Sequence, residues 1–148
     1  MQVQPYIFFE GRCEEAINFY KTALKAEVLM LMRYSENPDK QASGEGCGPD
    51  MSKIPPQSVM HASFKVGDTE VMCSDGMASG KPDFKGITLS VNPTSETEAK
   101  RIFAALSEGG KVNMPLSKTF YSPLFGMVAD KFGVSWMVNV PGEMPPQK

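Results

Sequence analysis

Two stretches of the chain repeat one pattern of apolar and polar positions. In residues 5–24, PYIFFEGRCEEAINFYKTAL, and again in residues 86–106, GITLSVNPTSETEAKRIFAAL, a short apolar run leads into a turn and then a helical pattern. In the first stretch, residues 4–9 read as a strand rich in aromatic and branched side chains, and Gly11 breaks it. Cys13, Ala16, Ile17, Tyr20, Ala23 and Leu24 then recur at the spacing of one helical stripe. Glu14 and Glu15 sit in the first turn, where the helix dipole favours negative charge. Residues 27–34, EVLMLMRY, predict a second strand. In the second stretch, residues 86–92 predict a strand with Ile87, Leu89 and Val91 on one face and Thr88 and Ser90 on the other. Ser95 and Glu98 form a capping box, Ala99, Ile102, Phe103 and Leu106 make the helical stripe, and Gly109 ends it.

Further strands are predicted around both repeats. Residues 59–66 and 69–75 read as a hairpin closed by Gly67-Asp68. A two-residue turn sets Met60, Ala62, Phe64 and Val66 on one face with Val71 and Cys73, and His61, Ser63 and Lys65 on the other with Glu70, Met72 and Ser74. After the second helix, residues 111–118, 121–129 and 135–140 predict three strands, with residues 131–134 as the last turn. Residues 35–58 are polar and dense in Gly and Pro, the composition of a lid or a mobile loop. Their Gly44, Gly46 and Gly48 are followed by no G-K-[ST] and no helical pattern, so a plain loop is favoured over a phosphate cradle. Residues 76–86 read as a linker. The fold class is therefore α+β, one domain over residues 1–148 built as two βαβββ modules in tandem, 4–75 and 86–140. Side by side, the modules make a curved mixed sheet with the helices on the outer, apolar face and a cup on the inner one.

Composition narrows the partners. A net charge of -2 gives no basic footprint, so nucleic acid is not expected. No apolar run approaches the length of a membrane span, the N-terminal residues lack the charged region of a signal peptide, and a cytoplasmic location follows as the expectation. Cys13, Cys47 and Cys73 are an odd number without a C-x-x-C pair, which fits reduced thiols better than a disulfide framework or a structural zinc site. His61 is the only histidine, so a His-rich metal site within one chain is excluded.

Four segments, PYIFFEGRCEEAINFYKTALKAEV (5–28), HASFKVGDTEVMCSD (61–75), GITLSVN (86–92) and DKFGVSWMVNV (130–140), together resemble the vicinal oxygen chelate superfamily. That group includes glyoxalase I, bleomycin-resistance proteins and extradiol dioxygenases, and the resemblance is to its PhnB-like (YjdN-like) branch. The resemblance implies the glyoxalase/bleomycin-resistance fold and a homodimer. The branch carries a demethylubiquinone methyltransferase label. Against that label stand the single glycine of the EGRCEE turn and an element order unlike the doubly wound parallel sheet that commonly holds S-adenosylmethionine. The superfamily's metal enzymes place His, Gln or Glu at four strand positions, which fall here on Pro5, on Cys73 or Ser74, on Gly86 and on Met137. Proline, glycine and methionine do not suit a catalytic Zn²⁺, Ni²⁺, Mn²⁺ or iron, so no metal ligand and no cofactor is expected.

The residues then leave two functional classes open. In one, the cup binds a small apolar or aromatic molecule, lined by Phe9, Met60, Cys73, Thr88, Met137 and Asn139, with adaptable methionines among the eleven of the chain. In the other, the protein is a lyase or isomerase with His61 and Asp75 as acid–base groups. A third arrangement, a metalloenzyme with relocated ligands among Gln4, Glu10, His61, Cys73 and Asp75, needs several register shifts. Each candidate also has a purely structural role open to it. For His61 that is a strand hydrogen bond, for Cys73 a buried inert thiol, and for Asp75, Glu10 and Asp130 a turn.

Overall fold

The protein is described by a computed structural model covering residues 1–38 and 53–142. The three glycines and Cys47 of the predicted loop lie outside the described residues. The elements run β1 (Tyr6–Phe8), α1 (Cys13–Ala23), β2 (Glu27–Arg33), a 3-10 turn (Tyr34–Glu36), β3 (Val59–Val66), β4 (Thr69–Ser74), β5 (Thr88–Val91), α2 (Glu96–Ser107), β6 (Lys111–Ser117), β7 (Leu124–Ala129) and β8 (Ser135–Val140). They fall into two compact units, Met1–Pro82 and Asp83–Lys148, each with its own βαβββ module and its own four-stranded mixed sheet.

In module one the strand order is β1-β4-β3-β2, with β1 parallel to β4 and the other pairs antiparallel. The hairpin has the two-residue turn that Gly67-Asp68 predicts, because Gly67 takes the left-handed conformation at φ 55° and Val66 pairs with Thr69. That register carries Ala62, Phe64, Val71 and Cys73 to the face beneath α1, where all four are buried. Tyr20 of α1 lies over Phe64 with ring centroids 5.6 Å apart. The stripe of Cys13, Ala16, Ile17, Tyr20 and Ala23 is buried along the helix. Strand β1 is shorter than the predicted 4–9. Glu10 adopts φ 53°, which turns the chain out of the extended conformation, and Phe9 folds under the helix instead of continuing the strand.

In module two the order is β5-β8-β7-β6, again with one parallel pair, β5 with β8. Trp136, Val138, Val140 and Val128 are buried on the side where α2 packs. Gly126 allows that packing, since a Cβ there would lie 2.8 Å from the Phe103 ring. Ser95 Oγ accepts the Glu98 amide at 3.2 Å, as the capping box requires, while the Glu98 carboxylate holds Arg101. Gly109 leaves the helix at φ 74°. Ile87 departs from expectation: it is exposed and precedes the strand, because Gly86 turns the chain at φ 80° and pairing begins only at Thr88 with Ser135. The buried Asp130 closes the β7–β8 turn, accepting the amides of Phe132 and Val134 at 2.9 and 3.0 Å and the Trp136 indole N–H at 2.9 Å. Its role is that of an Asx turn.

Replacing Phe64 by alanine is expected to destabilise the protein by about 3–5 kcal/mol, whereas Val112→Ala on the exposed β6 edge is expected to stay within about 0.5 kcal/mol of the parent. Urea unfolding followed by circular dichroism measures both.

Candidate functional site

The sheet of module one has a second face, turned away from α1. Strand alternation and the ladder registers place Tyr6 and Phe8 of β1, Met72 and Ser74 of β4, and His61 and Ser63 of β3 on it. Phe8 is 54% exposed and Tyr6 38%, high values for aromatic side chains, on the edge strand of the sheet. Their rings lie 5.0 Å apart at a 39° tilt. The Tyr6 hydroxyl and His61 Nδ1 share a hydrogen bond of 3.1 Å, with ring centroids 5.6 Å apart. Tyr6 thus orients the only imidazole of the chain and leaves the opposite ring nitrogen for another partner. Tyr34, beside this cluster, has its pKa raised by burial first and then by the charges of Tyr6, Asp75 and Glu10, so its hydroxyl keeps its proton at neutral pH.

Three predicted site residues face the other way. Phe9 and Cys73 are buried beneath α1, Phe9 against Tyr20 at 6.2 Å between ring centroids and Cys73 against the thiol of Cys13. They belong to the core of module one and not to its outward face. Asp75 is buried and uses both carboxylate oxygens on backbone amides, Oδ1 accepting from Cys13 at 2.8 Å and Oδ2 from Val59 at 2.7 Å. Those bonds join the start of α1 and the start of β3 to the end of β4, which is a structural role. Met60 sits at the register shift where Met32 pairs with His61 but Arg33 pairs with Val59. It is the extra residue of a bulge beside His61.

Glu10 closes a latch at the edge of this region. Its Oε2 accepts the hydroxyl of Ser79 at 2.7 Å and the Ser79 amide at 3.0 Å. Burial pushes its pKa up, but the hydrogen bonds from the Ser79 hydroxyl and from the Ser79 and Met77 amides outweigh burial and hold it below the ordinary value. Gly76 packs against it: a Cβ there would meet Glu10 Oε1 at 2.3 Å. A cavity of about 510 Å³ opens further along module one, among Gln4, Leu29, Lys65 and Glu70. None of Tyr6, Phe8 and His61 lines it.

In module two, Met137 and Asn139 of β8 and Thr88 of β5 alternate onto the face away from α2. Thr88 donates to Ser135 Oγ at 3.0 Å. Asn139 Oδ1 is buried and has no hydrogen-bond partner among the described residues. A buried acceptor left open in this way calls for a donor from water or from a ligand.

The positions that the resemblance implies do not offer the donor set of a catalytic metal. Pro5, Gly86 and Met137 supply no hard ligand, and the remaining position falls on Cys73, which is turned into the core, or on Ser74, which is buried with its Oγ accepting the Gly76 amide at 3.1 Å. Among the described residues no three His, Cys, Asp or Glu side chains gather closely enough to hold an ion, Glu10, His61, Cys73 and Asp75 of the relocated set included. Tyr34 closes the strand expected over residues 27–34 and carries no site signal there, whereas the structure places it at the start of the 3-10 turn. Tyr6 and Phe8 are distinguished from Phe9 only by period-2 alternation in a strand of three residues.

Residues 1–139 match the model of a family described as 3-demethylubiquinone-9 3-methyltransferase. The chain is 38% identical to protein YjdN of Escherichia coli (strain K12) over 148 residues, 99% of this chain and 100% of that one. The solved PhnB protein from Bacillus cereus is 29% identical, with a TM-score of 0.73 over 95% of this chain and 99% of that one. A glyoxalase-related enzyme from Fulvimarina pelagi is 16% identical, with a TM-score of 0.56 over 95% of this chain and 88% of that one, a likeness of fold alone.

Two stability measurements follow. Asp75→Ala leaves two buried amides without an acceptor and is expected to cost about 3 kcal/mol in urea unfolding. The lowered pKa of Glu10 means that the unfolded chain takes up its proton first as pH falls. The latch therefore contributes fully above the ordinary value of 4.5 and is lost as pH falls through the folded value. Glu10→Gln is expected to flatten that acid limb in a plot of melting temperature against pH.

Proposed function

Because the chain belongs to the PhnB-like family that includes YjdN, we propose that it is a member of the vicinal oxygen chelate superfamily that binds a small apolar or aromatic molecule on the outward face of module one without a catalytic metal. One observation carries this reading: two exposed aromatic rings, Tyr6 and Phe8, lie side by side, and Tyr6 hydrogen-bonds the only histidine, on a sheet face that no helix of module one covers. Rings held 5–6 Å apart give a planar ligand stacking surface, and the free nitrogen of His61 gives it one directional hydrogen bond. Met72 supplies a deformable apolar neighbour. On module two, the open acceptor of Asn139, with Thr88 and Met137 nearby on the same face, suits a ligand carrying an N–H or O–H group.

A second reading keeps the same residues and makes them catalytic. The Tyr6–His61 hydrogen bond favours it, since the tautomer in which Nδ1–H donates to the phenol oxygen leaves Nε2 unprotonated as a base for a lyase or isomerase. Asp75 takes no part in it, because both of its oxygens are engaged. Methyl transfer, which the family's description names, ranks below both. Each module has a four-stranded sheet with a single parallel pair and lacks the glycine-rich strand-to-helix turn common at S-adenosylmethionine sites. We infer a homodimer from the apolar side chains left exposed on the edge strands, Leu29 and Met30 on β2 and Val112 and Met114 on β6. A cytoplasmic location fits the free thiols of Cys13 and Cys73, and among the described residues no helix is long and apolar enough to cross a membrane.

A panel of phenols, indoles and naphthols, titrated against the melting temperature, tests the binding reading. At least one is expected to stabilise the protein, by about 2.7 kcal/mol at a hundred times its Kd. Tyr6→Ala and His61→Ala are expected to remove that gain while leaving the ligand-free melt nearly unchanged. A panel without effect, or gains that survive both substitutions, overturns the assignment.

A further inference from the structure

Cys13 and Cys73 meet in the core of module one, on the opposite side of the sheet from the proposed ligand face. They stand 60 positions apart in the chain, yet their sulfurs lie 3.4 Å apart, both as free thiols and both fully buried. The backbone on either side is fixed. Asp75 Oδ1 holds the Cys13 amide at 2.8 Å, and Cys73 is paired in the sheet with Ile7 on one side and Ala62 on the other. A disulfide brings sulfurs to about 2.05 Å, so a short further approach is enough to join these two.

We propose that Cys13 and Cys73 form a reversible disulfide site, closed by hydrogen peroxide when the first turn of α1 opens. The chemistry balances in two steps. One cysteine sulfur attacks a peroxide oxygen and the O–O bond breaks, giving a sulfenic acid and one water. The second sulfur then attacks the sulfenic sulfur. The S–S bond forms, the S–O bond breaks, and a second water leaves with the remaining thiol proton. Two thiols are oxidised and one peroxide is reduced.

The gate is the packing itself. Both sulfurs are sealed from solvent, and Cys13 resists ionisation, through its hydrogen bond to Cys73 first and through burial second. Arg12, at the helix N-cap, makes no side-chain capping bond and pairs with Glu15 on the surface, while Asp75 is the buried group that holds the Cys13 amide of the first turn. Loosening that bond exposes the pair.

The test uses the full chain carrying Cys47→Ser, treated with hydrogen peroxide with and without sub-denaturing urea, then denatured, alkylated and mapped by mass spectrometry. The expected product is a cross-linked Cys13–Cys73 peptide, lighter by two hydrogens and restored by dithiothreitol. It is expected to form faster in urea and about tenfold faster in Asp75→Asn, in line with the loss of a buried charge-assisted hydrogen bond. The oxidised chain is expected to unfold at a higher urea concentration than the reduced one. If Asp75→Asn does not fold, the urea arm decides alone. Recovery of both thiols alkylated, under exposure that fully oxidises free glutathione, overturns the site. So does conversion of both to sulfinic or sulfonic acids without a cross-link. Neither outcome bears on ligand binding, which is read separately.

Discussion

The carboxylate of Asp75 is the constraint on which module one depends. It is buried at the end of β4, where a charge without partners is costly, and two backbone amides meet it there. One amide opens α1 and the other opens β3, so a single side chain sets where the helix starts, where the hairpin starts and how both meet the sheet. The consequences spread outward. The stripe of α1 is delivered onto Phe64 and Cys73, and the alternate residues of the same strands are thereby committed to the opposite face. Tyr6, Phe8 and His61 owe their exposure to that division.

Module two solves the same problem with a different residue. Asp130 gathers the amides of its own turn and the indole of Trp136, so it organises the β7–β8 corner and not the start of the helix. Helix α2 is secured locally instead, by Ser95. A repeat visible as two similar strings therefore conceals two distinct anchoring schemes. The first copy ties its helix to the sheet through a long-range bond, and the second lets its helix cap itself.

Most of the architecture could be read from the chain because its cues are local. A Gly-Asp pair fixes a hairpin register, a serine starts a helix, and an apolar stripe at helical spacing buries itself. The site was less legible. Phe8 and Phe9 are adjacent and chemically identical, and only the alternation of a three-residue strand decides which one is exposed. Cys73 falls at a position that the sequence resemblance implies for a metal ligand, yet its parity in the ladder turns it inward. Asp75 reads as a turn residue before a base, and its tie to two backbone amides is hidden because neither partner is near it in sequence. The pairing of Tyr6 with His61 spans 55 positions and leaves no local signal.

The parallel pairing of β1 with β4 has a consequence for how module one is assembled. Tyr6 lies beside Met72, so the first strand made at the ribosome has no neighbour in its sheet until the last strand of the module has emerged. The β3–β4 hairpin can form by local pairing and β2 joins it across the connection to Val59, but β1 must wait and then close the longest loop of the module, paying its entropy in one step. The face that carries Tyr6 and Phe8 is thus the last part of the module to be completed during folding.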